Sequence, residues 1–401
     1  MKILVIAPTP FFSDRGSHIR ILEEARALEA RGHSITIATY HIGKDPQDFI
    51  KTTIKTRRII RLLFWYKKVE AGPDWQKIIL NLLLIRKVFY LLRTEHPDAV
   101  HGHLHEGALI GWLMKKLFWR RDFRLVVDFH GSLVREMVSH NYLSFAWLRR
   151  LFAQIERLIN RCGDVAIASS QENAQEIARK RVDRTVHVVE DGVNISDYEN
   201  LDNKLTLRDK FHLPRDKKII LYTGALLQDK GIAHILSAAR EMSSQYKDVH
   251  FVFGGYPRND VAHYIEKYEL HEMITLVSPL SFFDLPALNS CADIAIDPKD
   301  DSTRQASGKI LQYMAASLPI ICIDRPTNRH YLGDDAMYVQ AGEGAEGMIT
   351  AITTLLNDEQ KCHALGQKSK EHAQTYSWTN AGEKLEKIYQ CKIGELRNKH
   401  L

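Results

Sequence analysis

The sequence predicts an α/β protein built from two doubly wound, Rossmann-like domains in tandem. Three observations carry this. Short apolar strands alternate with amphipathic helices, the pattern of a parallel sheet covered on both faces. The alternation runs twice, and the turn-rich stretch "EDGVNISDYENLDNK" separates the two runs. A chain of 401 residues is too long for one core and comfortable for two.

In order, "KILVIAP" is a buried strand. "SHIRILEEARALEARGH" is a helix with Ile21, Leu22, Ala25 and Leu28 on one face and Gly32 as its stop. "SITIATY", "DAVHGHL", "RLVVDFHG", "DVAIASS" and "VHVVEDGV" continue the strands of the first run, with helical stretches between. The second run opens with "KIILYTG", then a helix from about Gly231 to Gln245. "VHFVFGG", "ITLVSP", "ADIAIDP" and "PIICID" follow as strands. Such sheets bind ligands outside the carboxyl ends of their strands. The loops after "VIAP", "VVDFHG", "LYTG", "VFGG" and "AIDP" are therefore the expected site, and two such edges facing each other would form a cleft. The expected division is residues 1–190 and 191–375.

Composition narrows the function. Hydrophobic content of 45% and charged content of 26% are ordinary for a globular chain. The five cysteines, at 162, 291, 322, 362 and 391, form no close pair, so a disulfide scaffold and structural zinc are not expected; a reducing cytoplasm fits. The first ten residues read as a strand rather than a signal peptide. No apolar run reaches the roughly 18 residues of a membrane span. The net charge of +6 divides into +11 for residues 1–190 and −5 for the remainder. Opposite signs suggest two domains with different partners. Residues 51–68, "KTTIKTRRIIRLLFWYKK", hold seven basic residues and no acid; "KIILNLLLIRKVFYLLR" and "LMKKLFWRRDFR" are similar mixtures. Such segments suit an anionic membrane surface. They equally suit core-packing helices with basic solvent faces. No nucleic-acid motif accompanies the charge.

Five stretches, in this order, resemble the retaining glycosyltransferases of family 4, which have the GT-B fold of two Rossmann-like domains. They are "DRGSHIRILEEARALEARGHSITIAT", "VEDGVN", "YTGALLQDKGI", "SGKILQYMAASLPIICID" and "YSWTNAGEKLEKIY". In the family the last is a helix that returns to the first domain, so helix 376–401 is expected to join residues 1–190.

The resemblance implies a nucleotide-diphosphate sugar as donor, held by backbone amides at helix starts and by a cation. Gly224 and Lys230 match its phosphate loop; the family's usual arginine is Ala225 here. Ser307, Gly308 and Lys309 open a second helix start. Gln312 stands where the family has a glutamate that accepts from the ribose hydroxyls, and an amide oxygen can accept as well. A second family glutamate falls at Arg304. Gly16 matches a glycine that lets amides approach the diphosphate; Arg15, His18 and Arg20 follow nearby. His130 matches a histidine near the donor sugar and acceptor hydroxyl, suited to donating a hydrogen bond or moving a proton. For each of these the plain alternative is a loop lysine, loop glycine or satisfied histidine.

His101, His103, His105 and Glu106 invite a metal reading, since alternate strand residues share a face. The family needs no metal, and none is expected. The aspartates of "DPKDD" read as a polar loop. With no carboxylate placed as a nucleophile, the implied reaction is front-face transfer with retention. The acceptor would be a glycan or a lipid-linked saccharide. The alternatives are a binding protein that has lost transfer, supported by Ala225, Arg304 and Gln312, or a sugar-nucleotide 2-epimerase.

Overall fold

The computed structural model describes residues 1–69, 74–139, 142–181, 186–300 and 307–390; Arg304 and residues 391–401 of the closing helix lie outside them. The chain divides into two compact units. Unit 1 is Met1–Asp191 with Trp378–Leu401, and unit 2 is Gly192–Ser302 with Ala306–Ser377.

Unit 1 runs β1 Lys2–Ala7, α1 Gly16–Ala30, β2 Ser34–Thr39, β3 Lys55–Arg58, α2 Gln76–Glu95, β4 Ala99–His103, α3 Leu104–Leu117, β5 Arg124–Phe129, α4 Leu133–Ser139, α5 Ala146–Asn160, β6 Val165–Ala168, α6 Gln171–Lys180 and β7 Val186–Val188. Its seven strands are parallel, in the order β3-β2-β1-β4-β5-β6-β7. In β1, Leu4 and Ile6 enter the core on one face of the sheet, and Ile3, Val5 and Ala7 the core on the other. That is the two-residue period of a strand buried on both sides.

Unit 2 runs α7 Lys204–Lys210, β8 Lys218–Ala225, α8 Ile232–Met242, β9 Val249–Tyr256, α9 Asn259–Lys267, β10 Ile274–Val277, α10 Leu285–Ser290, β11 Ile294–Asp297, α11 Gly308–Ala315, β12 Ile320–Ile323, α12 Pro326–Leu332, β13 Met337–Val339, α13 Gly344–Leu356 and α14 Glu359–Ala373. Its six strands are parallel, in the order β10-β9-β8-β11-β12-β13. Ile220 and Tyr222 of β8 face one core; Ile219 and Leu221 face the other.

The last helix, α15 Trp378–Gln390, packs in unit 1 against α1. Trp378, Leu385, Ile388 and Tyr389 share a core with Ile21, Leu22, Ala25 and Leu28. Glu386 binds Arg31 and lies 3.0 Å from His33.

One feature differs from the sequence expectations, and a second is notable by itself. The basic stretch 51–68 contains β3, the edge strand of the first sheet, rather than a helix. Arg58 is not a surface charge there: it donates to Asp45 and to the carbonyls of Phe11 and Ile42. The polarity of α5 is inverted relative to a core-packing helix. Trp147, Leu151, Ile155 and Leu158 lie exposed along one face, and Trp147 is 64% exposed. Glu156 and Asn160 are among its buried residues.

Candidate functional site

The carboxyl end of unit 2's sheet gathers most of the expected donor residues. Gly224, near the end of β8, has φ of +125°, a conformation that disfavours any side chain. A Cβ there would also sit 3.2 Å from Cε of Lys309. Lys230 closes a short 3₁₀ turn, Gln228–Lys230, and Gly231 follows at φ +77° as the entry to α8. Ala225 ends β8 and is exposed; its carbonyl accepts from the Tyr222 hydroxyl at 2.8 Å.

Across from that loop stands the start of α11. Ser307 is its buried N-cap residue and Gly308 its first residue. Lys309 Nζ lies 4.1 Å above the Tyr222 ring, donates to the Tyr222 hydroxyl at 3.0 Å, and is 3.4 Å from Asp297 Oδ1. Gly224, Ser307, Gly308 and Lys309 are thus brought together at one edge. Gln312, one turn on, is already engaged: its amide oxygen accepts from Tyr198 at 2.8 Å. The Tyr198 hydroxyl in turn accepts from Asn289 at 3.1 Å. Burial pushes the Tyr198 phenol well up, so it remains a donor. A carbonyl oxygen has two lone pairs, so this bond leaves Gln312 Oε1 able to accept a second one.

Asp297 departs from the sequence expectation of a polar loop. It is fully buried at the end of β11, whereas Asp300 is exposed. Burial works against its ionisation, but Lys309, Arg325 and a hydrogen bond with Ser307 hold its carboxyl below the usual range.

In unit 1, Gly16 starts α1 at the carboxyl end of β1. A Cβ there would meet nothing within 4 Å, and its φ is not positive. Neither packing nor backbone strain in unit 1 demands glycine at this position. Arg15, His18 and Arg20 do not act as a group. Arg15 Nη1 donates to the Val69 carbonyl at 2.5 Å. His18 is buried, its Nδ1 3.1 Å from the Ser13 amide and 2.8 Å from its hydroxyl. Burial, and then Arg15, bring its pKa down to about 3, so it is neutral.

Arg20 is the centre of a buried network that the sequence did not reveal. It reaches Asp128 at 2.7 Å, Asp191 at 2.7 Å, Glu24 at 2.9 Å and the Val189 carbonyl at 2.9 Å. His103 Nδ1 lies 3.1 Å from His130 Nε2, and both nitrogens are 3.4 Å from Asp128 Oδ2. His101 shares that face of β4 and lies 2.7 Å from the Tyr389 hydroxyl. So His130, at the end of β5 and partly exposed, is backed by a buried carboxylate and a buried imidazole. The partners lie 108 and 171 residues from Arg20 in sequence, beyond local pattern reading. One signal was present: Asp128 is a charge set among the apolar residues Leu125–Val127 and Phe129 of its strand.

Burial raises the Glu24 carboxyl well above the usual range. Burial opposes ionisation of Asp128 too, but Arg20 dominates and holds it well below. His103 is brought down to about 4 by burial. Glu24, His101, His103 and Asp128 offer atoms within 4.8 Å of one another, a donor set of the type that holds a divalent cation. Arg20 also lies against two of these residues, 2.7 Å from Asp128 and 2.9 Å from Glu24. His105 lies apart, its ring tilted against Phe129 with centroids 5.2 Å apart.

Comparison with known proteins gives a consistent result. Residues 15–192 match the glycosyl transferase 4-like domain, and residues 203–372 match glycosyl transferases group 1. A D-inositol 3-phosphate glycosyltransferase of Corynebacterium diphtheriae is 23% identical, across 93% of this chain and 89% of its own. Among solved structures, sucrose-phosphate synthase from Thermosynechococcus elongatus superposes with a TM-score of 0.78 at 17% identity, covering 97% and 98% of the two chains. Anabaena HepE, solved with UDP and glucose, superposes at 0.74 with 15% identity, covering 97% and 99%. Among the described residues no helix is long and apolar enough to cross a membrane.

Proposed function

The chain belongs to the group 1, family 4-like glycosyltransferases of GT-B fold, and on that premise we propose that it moves a sugar with retention of configuration from a nucleotide-diphosphate sugar to a glycan or lipid-linked acceptor. The observation that carries the donor site is the cation-rich edge of unit 2. A glycine loop of positive φ, Lys230, and an α11 start bearing Lys309 meet at the carboxyl ends of β8 and β11. Diphosphate binding there uses helix-start amides and lysine charge, and the same groups stabilise the leaving diphosphate as the glycosidic bond breaks. The departing phosphate oxygen takes the acceptor proton, so no metal and no enzymatic nucleophile are required. His130 is the unit 1 residue proposed to contact the sugar or acceptor hydroxyl, with Asp128 and His103 behind it.

An acceptor in the cytoplasmic leaflet, for surface polysaccharide or glycolipid synthesis, fits the surface of unit 1. Phe64, Trp65, Trp119 and the α5 stripe are exposed among Arg61, Lys67, Lys68, Arg120 and Arg150. Aromatic and basic side chains together are what an anionic interface binds.

A thermal-shift screen against UDP-, GDP- and dTDP-sugars tests the donor site; a ligand at 100 times its dissociation constant adds about 2.7 kcal/mol. A shift with none of them removes the proposal. With the donor found, product analysis separates transfer from epimerisation and from binding alone, and the same assay with a chelator should show unchanged turnover.

A further inference from the structure

Gln312 reaches the donor edge of unit 2 with its amide already held. Three side chains from three separate elements form one line of hydrogen bonds. They are Asn289 of α10, Tyr198 of the 3₁₀ turn Ile195–Tyr198, and Gln312 of α11. Asn289 Nδ2 donates to the Tyr198 hydroxyl at 3.1 Å, and that hydroxyl donates to Gln312 Oε1 at 2.8 Å. Each step fixes the next. An amide NH₂ can only donate, so the hydroxyl accepts from it and sends its single proton to Gln312. The surroundings leave these groups little freedom. Asn289 is fully buried, and α10 packs against both the turn and α11. The Tyr198 ring packs on the core that holds Leu288, Leu311 and Ala315. Gln312 itself is 8% exposed, so most of its side chain is enclosed and a small part stays open.

A glutamine carries its amide on three rotatable bonds, and a ligand that must first order such a side chain loses affinity by doing so. Here that ordering is complete before any ligand arrives. Resting on the donor-site reading above, we propose that Tyr198 is a positioning residue for the donor nucleotide, holding the Gln312 amide in the orientation that meets the ribose hydroxyls. Asn289 acts one step further back by aiming the Tyr198 hydroxyl. Tyr198 acts only through Gln312, whose Oε1 accepts from it and has a second lone pair for the ligand. The role belongs to one oxygen atom. Phenylalanine would fill the same place in the core and leave the amide of Gln312 unheld.

Titration calorimetry of the full chain with UDP, GDP and dTDP, each beside its dideoxyribose form, tests this. The native protein should bind the fuller sugar of its nucleotide about tenfold more tightly than the dideoxy form, the worth of roughly one hydrogen bond. Tyr198→Phe should bind the fuller sugar about threefold to tenfold more weakly and the dideoxy form as the native protein does, so that the preference shrinks. Adding Tyr198→Phe to Gln312→Leu should change nothing further, because the interaction it removes is already gone. An undiminished sugar preference in Tyr198→Phe would overturn the inference and leave the donor site standing. So would an equal loss for both forms of the nucleotide, or the same loss repeated on the Gln312→Leu background, since a general weakening of the fold gives those results. If Gln312→Leu keeps the native preference, or if the native protein binds none of the three nucleotides, the donor-site reading falls and this inference with it.

Discussion

Glu24 and Asp128 are wholly buried beside the same guanidinium, yet they hold protons oppositely. Asp128 is depressed below its ordinary 3.8, so its ion pair adds stability above that pH, lost as pH falls through the folded value. Glu24 is raised above 4.5. Between 4.5 and its folded value the folded chain binds one more proton than the unfolded, so stability declines as pH rises there. Glu24→Gln removes that decline and should leave stability at about pH 7 within roughly 1 kcal/mol of native. Asp128→Asn removes the buried charge nearest the Arg20 guanidinium, leaving Asp191 as its ionised partner, and should cost about 3–5 kcal/mol. Urea denaturation across pH decides it: equal losses in the two variants would mean that Glu24 is ionised. At the donor edge, Gln312 should follow an order. Gln312→Glu keeps an acceptor for Tyr198 and for a ribose, and should bind the nucleotide sugar about as well. Gln312→Leu leaves both without one, at about 1–3 kcal/mol. Equal affinity in all three proteins would remove α11 from the ribose site. Lys230→Ala should weaken nucleotide diphosphate binding by about tenfold to hundredfold, and an unchanged constant would remove Lys230 from the site. At this scale local motifs single out Gly224, Lys230 and Gln312 as the expected donor residues. The contact of Tyr198 with Gln312 and the Arg20 network are not visible there, because their partners meet only through the fold.

Elements were more legible than residues, because each is specified by local periodicity. The continuous apolar strands "KILVIAP" and "KIILYTG" could only be buried on both faces, and they became β1 and β8, each central in its sheet. The helix after Gly231 is three residues shorter at its end than its pattern suggested, stopping at Met242. The strand inside "KTTIKTRRII" was missed because its charges suit a sheet edge, where lysine and arginine discourage further pairing. The exposed stripe of α5 shows a limit of such reading: periodicity locates an apolar stripe but not the side that faces water. The docking of α15 on α1 depends on a contact that no local pattern encodes. Gly382 lies so close to Ala27 that a Cβ would sit 2.9 Å from the Ala27 Cβ. Gly382→Val should therefore force the helices apart, at about 1–3 kcal/mol of overpacking. A denaturation midpoint equal to the native one would show that α15 does not rest on α1 through this glycine.

Over the whole molecule, charge and exposed apolar surface fall on the same part of the chain. Residues 1–190 carry +11 and the remainder −5. The exposed tryptophans Trp65, Trp75, Trp112, Trp119 and Trp147 all lie in the basic part. This asymmetry was visible in composition, although composition alone could not say which apolar side chains the core would take. Leu80, Leu84 and Val88 of α2 are buried while Ile78 and Leu82 are not. Two forces would then act at an anionic interface and respond differently to salt. Attraction of basic residues, about 1 kcal/mol each near the surface, is screened within a Debye length of roughly 10 Å at 0.1 M. Insertion of apolar side chains is not screened. Replacing Arg61, Lys67 and Lys68 by Gln should lower binding to vesicles containing phosphatidylglycerol mainly at low salt. Arg58 is left out because it braces the loops around Phe11 and Ile42. Replacing Trp147, Leu151 and Leu158 by Ser should lower binding by a similar factor at low and high salt. Vesicle sedimentation over a salt series measures both. If the unmodified protein stays in the supernatant at low salt, the interfacial role falls. If the α5 variant binds like the native protein at every salt, that helix is no insertion surface, and the attraction rests on charge alone.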